Sequence, residues 1–323
     1  MIRLTVRQLE YFEALADTRH FGRAAAQCGV TQPALSAQLA EMEQRLGCKL
    51  FERGGRAVAL TADAEALRPR IERVLAELRE IQASASHGTG TLEGTCRLGI
   101  IPTVAPYLLP RALPAIRARY PKLRLELREA VTDRLIEETV AGRLDGFIAA
   151  LPIEDPRLAT RILFADRFFL AVPPGEFGFV EPPVAPESPA LDRLMLLEEG
   201  HCMREQALDL CGRARPAAMA NYGATSLTTL LQMVAHGHGV TLIPEMALGS
   251  DVASRDIRVV PFGEPMPSRT LCMAWRRNGT REGDCDLLAE VIVAACASDK
   301  ARKMQPEPDP EAHEHEQAGT ERP

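Results

Sequence analysis

The most constraining stretch of the chain is residues 20–47, HFGRAAAQCGVTQPALSAQLAEMEQRLG. Its three consecutive alanines, at positions 24–26, are small enough to let a second helix approach closely. Gly29 is suited to ending the first helix, and Thr31 is suited to capping a second helix that tolerates Pro33 in its opening turn. This order of residues predicts two short helices joined by a tight turn, a helix-turn-helix.

The second of these helices carries one apolar stripe. Apolar residues recur along it at intervals of four, three and four, namely Leu35, Leu39, Met42 and Leu46. That spacing places them on one buried face and leaves the polar start of the helix exposed. The side chains expected to meet base edges and phosphates in a DNA major groove are Thr31, Gln32, Ser36 and Gln38.

A hairpin is predicted after the second helix. In residues 50–61, LFERGGRAVALT, the Gly-Gly pair forms the predicted tip, and Arg53 and Arg56 flank it. A basic hairpin beside a recognition helix is a wing, which is suited to contacting phosphates or the minor groove. The alternative is a helical hairpin with no role in nucleic-acid binding, which is common for Ala-rich helix pairs. The cap, the stripe and the wing together favour a winged helix-turn-helix over residues 1–62.

Charge is distributed unevenly along the chain. The formal net charge is −6, which argues against a protein coated in nucleic acid. Residues 1–60, in contrast, hold eight Lys or Arg and six Asp or Glu. Residues 301–323 hold three basic and six acidic residues, are rich in proline and lack apolar periodicity, so we predict a disordered acidic tail.

A heptad pattern follows the wing. Apolar residues recur at intervals of four, three, four and three, namely Leu67, Ile71, Val74, Leu78 and Ile81. This spacing is typical of a helix that pairs with a copy of itself. Pro69 removes one helix hydrogen bond and predicts a kink. Residues 84–94 are small, polar and Gly-rich, which is typical of a hinge. The heptad helix and this hinge together give a predicted linker over residues 63–90.

Residues 91–300 alternate between β-rich and helical stretches. The expected strands are CRLGII, LRLELREA, DGFIAAL, FFLAVP, LMLLEEG, AAMANYG, VTLIPE, IRVVPF and TLCMAW. Alternation with helices predicts a parallel sheet with right-handed crossovers, and two α/β subdomains with a cleft between them. The expected limits are about 91–165 with 269–300 for subdomain I, and about 166–268 for subdomain II.

Two threonines follow strands of the first subdomain. Ligands of open α/β sheets lie beyond the carboxyl ends of the strands. Thr103 and Thr132 are therefore expected to direct their hydroxyl groups into the crevice. Each could instead cap a helix, and Thr132 is expected to be a cap in either case.

Two cysteines lie nine positions apart in a predicted helix. Nine residues of α-helix rise about 13.5 Å, whereas a disulfide needs α-carbons roughly 4.4–6.8 Å apart. Cys202 and Cys211 therefore cannot form a disulfide unless the segment unwinds. Cys202 is expected at the helix N-terminus, which favours a thiolate, with His201 and Arg204 as candidate cationic or donor partners. The alternative is that both thiols are buried and inert.

The other six cysteines are interpreted as small buried hydrophobes. No Cys or His pair has the spacing of a zinc site, and we expect neither a metal nor a cofactor. The chain has no run of 18 apolar residues, and its first residues lack the apolar core of a secretory signal. We therefore expect no membrane contact and a cytoplasmic location.

The stretch RQLEYFEALADTRHFGRAAAQCGVTQPALSAQLAEMEQRLGCKLFER resembles the N-terminal part of the LysR-type transcriptional regulators. Asp63-Ala64-Glu65 stands where the family usually has a glycine, which should alter the entry to the next helix rather than the fold. The resemblance implies a dimerising linker helix, assembly as a dimer or tetramer, two-fold symmetric promoter DNA and contact with RNA polymerase.

Four later segments resemble the peroxide-sensing members of this family, namely IPTVAPYLLPRALPAI, LLEEGHCMREQALDLC, GATSLTTLLQMVAHGHGVTLIP and SRTLCMAWR. The resemblance implies an α/β regulatory domain like that of periplasmic binding proteins and an activator of antioxidant genes. It implies that Cys202 reacts with hydrogen peroxide and that Cys211 is its disulfide partner. The residues that it places around the reactive sulfur are Thr103, Thr132, His201, Arg204 and Arg269. A glutaredoxin-type or thioredoxin-type reductant would restore the thiols.

Two other functions stay open at this point. One is a LysR-type regulator that binds a small organic acid in the cleft, with the two thiols incidental. The other is a thiol peroxidase, which would consume peroxide well beyond one equivalent per chain. A peroxidase would leave the first sixty residues without a role, so a regulator and not an enzyme is expected.

Overall fold

The structure is a computed structural model that describes residues 3–52, 58–86, 91–174, 180–185, 188–210, 224–249 and 257–303. The chain divides into two compact units. The first contains residues 1–100, 122–160 and 274–285, and the second contains residues 101–121, 161–273 and 286–323. The domain limits expected from the sequence stay a prediction.

Three helices open the first unit, namely α1 (Val6–Thr18), α2 (Phe21–Gln27) and α3 (Gln32–Leu46). They enclose an apolar core in which Phe12, Leu35 and Met42 are fully buried. Gly29 has a φ of 65°, a left-handed conformation that glycine adopts without steric cost, and it reverses the chain between α2 and α3. The predicted helix-turn-helix and its apolar stripe are confirmed.

Thr31 differs in one respect from its predicted role. It occupies the N-cap position of α3, and Pro33 lies in the first turn, as expected. Its side chain, however, makes no capping hydrogen bond, so the prediction that its hydroxyl caps the helix is wrong. Thr31 is exposed, and its hydroxyl lies at the surface where α3 begins.

The predicted hairpin is present as strands β1 (Phe51–Glu52) and β2 (Ala59–Leu60), which pair antiparallel with Phe51 opposite Leu60. The ring of Phe51 lies 5.4 Å from that of Phe12, centroid to centroid, and this contact anchors the hairpin to α1. The tip, with Arg53 and Arg56, lies outside the described residues.

Helix α4 (Ala62–Ser86) continues through Pro69. Its heptad residues differ in exposure within the single chain, and pairing of this helix with a second copy stays a prediction. Ile71 is buried in the N-terminal core, whereas Val74 and Ile81 are 47% and 65% exposed. The reason is that α4 packs against α1, which covers one flank of the pattern and leaves the other flank on the surface.

The parallel strands of the first unit are β3 (Gly94–Ile100), β4 (Leu123–Glu129) and β5 (Gly146–Ala150). Strand β3 pairs in parallel with both β4 and β5. Helix α6 (Thr132–Val140) connects β4 to β5. The predicted parallel pairing and the crossover helix are therefore confirmed for these elements.

Two nearly buried carboxylates of α1 face arginines from elsewhere in the first unit. Glu13 forms ion pairs with Arg79 of α4 and with Arg143, and the Arg143 pair measures 3.0 Å. Asp17 lies 2.9 Å from Arg68 of α4. Charged groups that lose hydration need such partners. The network therefore fastens α4 and the turn after α6 to α1.

The second unit contains helices α5 (Ala105–Arg119), α7 (Cys202–Leu210) and α8 (Leu227–Ala235), with strands β7 (Thr241–Pro244) and β8 (Arg258–Pro261). Elements that begin in one unit and end in the other are β6 (Leu158–Val172), β9 (Ser268–Arg276) and α9 (Glu282–Lys303). Strand β6 pairs antiparallel with β7 and β8. No helix in the described part of the chain is long and apolar enough to cross a membrane.

One predicted strand is wrong. Residues 194–200, LMLLEEG, form no continuous strand, because Leu194 and Leu197 make only single bridges, to Val240 and Ala224. Residues 194–197 are buried, so the apolar run reflects burial rather than sheet pairing. The predicted strand AAMANYG lies outside the described residues.

Candidate functional site

Cys202 is the first residue of α7, as predicted. Gly200 precedes it with a φ of 91°, a left-handed conformation that turns the chain into the helix. The Cys202 side chain is half-buried. It therefore lies next to the backbone N–H groups that a helix leaves without intrahelical partners at its N-terminus.

Hydrogen bonds from Glu198, His201 and Arg204 hold the loop before α7. The Glu198 N–H donates to the Ala224 carbonyl at 2.9 Å. Arg204 donates twice to this loop, from its backbone N–H to the His201 carbonyl at 2.9 Å and from Nη1 to the Leu197 carbonyl at 3.0 Å. The guanidinium of Arg204 is thus fastened to the backbone that carries Cys202.

His201 is buried beside Cys202. Burial lowers the pKa of the imidazole, and the nearby Glu198 carboxylate acts in the opposite direction. Burial therefore favours the neutral form of the ring. A neutral imidazole still offers one donor and one acceptor.

A second polar group is centred on Arg269 of β9, which is fully buried. Its guanidinium lies 2.9 Å from the Asp166 carboxylate and donates to Thr103 Oγ1 at 2.8 Å and to the Thr103 carbonyl at 3.1 Å. It also lies over the Phe168 ring, 5.7 Å from the centroid. The charge of Arg269 is balanced by Asp166, and its other hydrogen bonds go to Thr103 and, from Nη2 at 3.6 Å, to the Met246 sulfur.

Asp166 is a residue that the sequence reasoning missed. It lies in β6 within FADRFFLAV and is buried. An acidic residue among apolar strand residues was the signal that could have identified it, because a buried carboxylate requires a cationic or donor partner. That partner, Arg269, lies 103 positions later in the chain.

Thr132 does not cap helix α6, contrary to the prediction from the sequence. It is the first helical residue of α6, Val131 occupies the N-cap position, and no side-chain capping bond is present. Its hydroxyl oxygen is buried and has no hydrogen-bond partner among the described residues. The cap prediction is therefore wrong. A buried hydroxyl that makes no hydrogen bond costs free energy, so a bound donor or acceptor would stabilise it.

Three other cysteines lie in the interior and are called the interior thiols, namely Cys96, Cys272 and Cys285. Burial raises the pKa of Cys96 and of Cys272 to about 12, and it also raises that of Cys285. Such thiols are protonated and inert near neutral pH. The expected burial is confirmed for these three, whereas Cys28, Cys48 and Cys296 are only half-buried, contrary to the prediction. Cys211 lies outside the described residues.

The candidate DNA-contacting residues of α3 differ in exposure. Thr31 and Gln32 are exposed at the start of the helix, whereas Ser36 and Gln38 are half-buried. Gln38 Oε1 accepts a hydrogen bond from Gln8 Nε2 at 3.3 Å. Thr31 and Gln32 are therefore the most accessible of the four.

The structure thus groups the candidate sensor residues in three places. His201, Cys202 and Arg204 share the junction of a loop with α7. Thr103 and Arg269 share the buried centre with Asp166. Thr132 belongs to the first unit, whereas the other five belong to the second.

Two family descriptions match the chain. Residues 6–65 match the bacterial regulatory helix-turn-helix protein, lysR family. Residues 89–297 match the LysR substrate binding domain.

Similar proteins carry names that refer to hydrogen peroxide or to OxyR. The hydrogen peroxide-inducible genes activator of Pectobacterium carotovorum subsp. carotovorum is 36% identical over 289 residues, which cover 90% of this chain and 96% of that protein. The DNA-binding transcriptional dual regulator OxyR of Escherichia coli K12 is 36% identical over 291 residues, which cover 90% of this chain and 95% of that protein.

Solved structures of OxyR proteins share the fold. A full-length OxyR variant from Pseudomonas aeruginosa superposes with a TM-score of 0.67 at 33% identity, covering 90% of this chain and 98% of that one. A hydrogen peroxide-bound OxyR variant from Corynebacterium glutamicum superposes with a TM-score of 0.60 at 30% identity, covering 94% and 97%. The chain therefore belongs to the LysR family of bacterial transcriptional regulators, which are DNA-binding proteins and not enzymes.

Proposed function

We propose that this chain is a transcriptional regulator that responds to hydrogen peroxide through Cys202, acting in the cytoplasm on antioxidant genes. The observation that carries the proposal is a contrast between thiols. Cys202 is half-buried at the first residue of a helix, whereas the interior thiols are fully buried and protonated. The relatives named as hydrogen peroxide-inducible genes activators support the same assignment.

The first chemical step is a two-electron oxidation of Cys202. The thiolate sulfur attacks one oxygen of hydrogen peroxide, an S–O bond forms and the O–O bond breaks. The departing hydroxide takes up a proton and leaves as water, and Cys202 becomes a sulfenic acid. The N-terminus of α7 favours the thiolate, because its N–H groups point toward negative charge.

Five polar residues are assigned to the peroxide reaction. Thr103 holds the peroxide, because its oxygen accepts from Arg269 and its own proton is left to donate elsewhere. Arg204 stabilises charge on the departing oxygen. His201, whose neutral form burial favours, exchanges a hydrogen bond with the reactants. The Thr132 hydroxyl, buried without a partner among the described residues, is assigned to bind peroxide or the water that replaces it.

Cys211 is assigned as the resolving thiol. Its sulfur attacks the sulfenic acid of Cys202, an S–S bond forms and water leaves. Because nine helical residues rise about 13.5 Å, the segment that begins with α7 must unwind for this bond to form. A glutaredoxin-type or thioredoxin-type reductant then supplies two electrons and restores both thiols.

The unwinding is proposed to reach the DNA through the assembly of the protein. A dimer or tetramer would present two-fold related helix-turn-helix units to promoter DNA, and a change of packing would alter that spacing and contact with RNA polymerase. The residues assigned to DNA are Thr31, Gln32, Ser36 and Gln38 of α3, with Arg53 and Arg56 of the wing.

Thiol alkylation followed by mass spectrometry, before and after one equivalent of peroxide, tests the proposal. We expect Cys202 and Cys211 to lose their reactivity together while the interior thiols stay reduced. Cys96→Ser is the matched control, because it removes an interior thiol and should leave the peroxide response intact. A Cys202→Ser protein whose promoter footprint still changes with peroxide would overturn the proposal.

Peroxide turnover and promoter footprinting, added to the alkylation experiment, separate the alternatives. Peroxide consumption far beyond one equivalent per chain would support a thiol peroxidase. Thiols that survive peroxide unchanged, together with a footprint that responds to a small organic acid, would support regulation by an effector in the cleft.

A further inference from the structure

The buried centre around Arg269 contains a carboxylate to which the steps above give no role. We infer that Asp166 is a positioning residue for the peroxide reaction, since it fixes Arg269, which in turn fixes the hydroxyl of Thr103. This inference rests on the proposed function, which assigns Thr103 to hold the peroxide.

The hydrogen bonds of Arg269 set the plane of its guanidinium. Nε and Nη2 both approach Asp166 Oδ2, at 3.0 and 2.9 Å. Nη1 donates to Thr103 Oγ1 at 2.8 Å, and Nη2 also donates to the Thr103 carbonyl at 3.1 Å. Because the guanidinium is planar and rigid, an orientation imposed by Asp166 is passed on to Thr103.

Asp166 is itself held by the backbone. Its second oxygen, Oδ1, accepts a hydrogen bond from the Met246 N–H at 3.0 Å. The side chains of Asp166 and Arg269 are both almost fully buried, so water does not compete for these bonds. The four groups form one chain of hydrogen bonds from the Met246 backbone through Asp166 and Arg269 to Thr103.

This chain determines what the Thr103 hydroxyl can do. A hydroxyl group is one donor and an acceptor, and its hydrogen rotates to suit its neighbours. With a lone pair occupied by Arg269, the hydrogen of Thr103 is directed away from the guanidinium and toward another acceptor. A peroxide oxygen would be held there without the hydroxyl having to reorient, which is how preorganised donors accelerate a reaction.

A purely structural role is the competing explanation, because a buried arginine requires a counter-charge. Two rate constants of Cys202 distinguish the explanations. The reaction with peroxide needs the Thr103 hydroxyl, whereas alkylation by iodoacetamide needs only the thiolate and access to it. A positioning role lowers the first rate selectively, and damage to the fold changes both.

Asp166→Asn is the primary test. Asparagine keeps an acceptor for the Met246 N–H but weakens the hold on Arg269. We expect the second-order rate with peroxide to fall by about 10–100-fold, the size seen when a residue that orients a metal ligand is replaced, with the iodoacetamide rate unchanged. Asp286→Asn is the matched control, because Asp286 forms a half-exposed ion pair with Arg161 at 2.6 Å in the same unit.

Two further variants cover the remaining outcomes. In a Thr103→Val background, adding Asp166→Asn should cause no further loss of the peroxide rate, because Asp166 acts through the missing hydroxyl. If Asp166→Asn does not fold, Asp166→Glu keeps the counter-charge of Arg269 but moves it by one methylene, and it should show the same selective loss.

An unchanged peroxide rate, losses that multiply in the Thr103→Val background, or equal losses in both rates would each overturn the role of Asp166. A parent protein whose Cys202 reacts with peroxide no faster than free cysteine would instead refute the proposed function. The two failures are therefore distinguishable.

Discussion

Cys202 and Cys96 place the same side chain in opposite surroundings. Cys96 is fully buried in β3, and its pKa is raised to about 12, first by burial and then by the nearby Asp145 carboxylate. Cys202 is half-buried at the start of α7, the end of the helix whose N–H groups have no intrahelical partners. The comparison teaches that a thiol is inert or a candidate sensor according to what stabilises its charged form.

The largest expected effect is a difference in alkylation rate. A thiol with a pKa of about 12 is ionised to roughly one part in 10⁴ at pH 8, and the interior thiols are also shielded from reagent. We expect iodoacetamide to alkylate Cys202 at least about 100-fold faster than Cys96 or Cys272 in the folded protein. Peptide mass spectrometry over time measures this, with urea-unfolded protein as the control. Similar folded-state rates would refute the contrast.

The interior thiols should also make stability depend on alkaline pH. The pKa of Cys96 and of Cys272 is raised on folding, so the native state keeps protons that the unfolded state releases above about pH 9. The free energy of unfolding should therefore decrease as pH rises from about 9 toward 12, by up to about 1.4 kcal/mol per pH unit for each thiol.

Urea denaturation of Cys96→Ala and of the parent between pH 7 and 11 measures this slope. Below pH 8.5 the two curves should run parallel, which controls for the loss of packing. Above pH 9 the variant should lose stability less steeply. Equal slopes above pH 9 would show that Cys96 does not stay protonated in the folded protein.

His201 should produce a smaller effect on the acid side. Burial lowers its pKa, so the native state binds its proton less readily than the unfolded state does. The stabilising contribution of the neutral ring is complete above about pH 6.5 and is lost as pH falls through the folded-state pKa. Comparing the free energy of unfolding at pH 7.5 and 5.5 should show a weaker pH dependence in His201→Gln than in the parent. The exposed His236→Gln is the control, and an identical effect of both variants would contradict the burial argument.

The smallest effect on stability is expected at Thr132. Its hydroxyl caps nothing and is buried without a partner among the described residues, so Thr132→Val should change the free energy of unfolding by no more than about 0.5–1 kcal/mol, in either direction. The rate at which Cys202 reacts with peroxide should nevertheless decrease in Thr132→Val, because a hydroxyl assigned to the reaction is lost.

Thr139→Val is the matched control for Thr132→Val. Thr139 lies on the same helix, α6, and its hydroxyl is also buried without a partner among the described residues. Thermal unfolding and the peroxide rate of Cys202 should be measured for both variants. If both slow the reaction equally, Thr132 has no specific role in it.

Much of the fold was predictable from local sequence. The helix-turn-helix followed from Gly29, Thr31 and the apolar stripe. The start of α7 at Cys202 was also predicted from the sequence. These features depend on residues a few positions apart, whose backbone and packing preferences act within one or two turns. Resemblance to a known family then identified the regulator and the candidate thiol pair.

The errors and omissions came from contacts between distant parts of the chain. Thr132 is an exception, because the error there is local: α6 begins one residue earlier than a Thr132 cap requires, and Val131 occupies the N-cap position. Residues 194–197 are apolar enough for a strand, but tertiary packing buries them without continuous pairing.

The sequence by itself determined the succession of elements, the DNA-binding helix pair and the position of Cys202, because periodicity, turn residues and helix ends are local properties. Only the tertiary structure decided which polar groups become partners. Asp166 and Arg269 are 103 positions apart, and each is tolerated in the interior only because folding brings the other within 3.0 Å. The same burial that makes this pair necessary raises the pKa of Cys96, and it is a property of the packed chain that no local pattern contains.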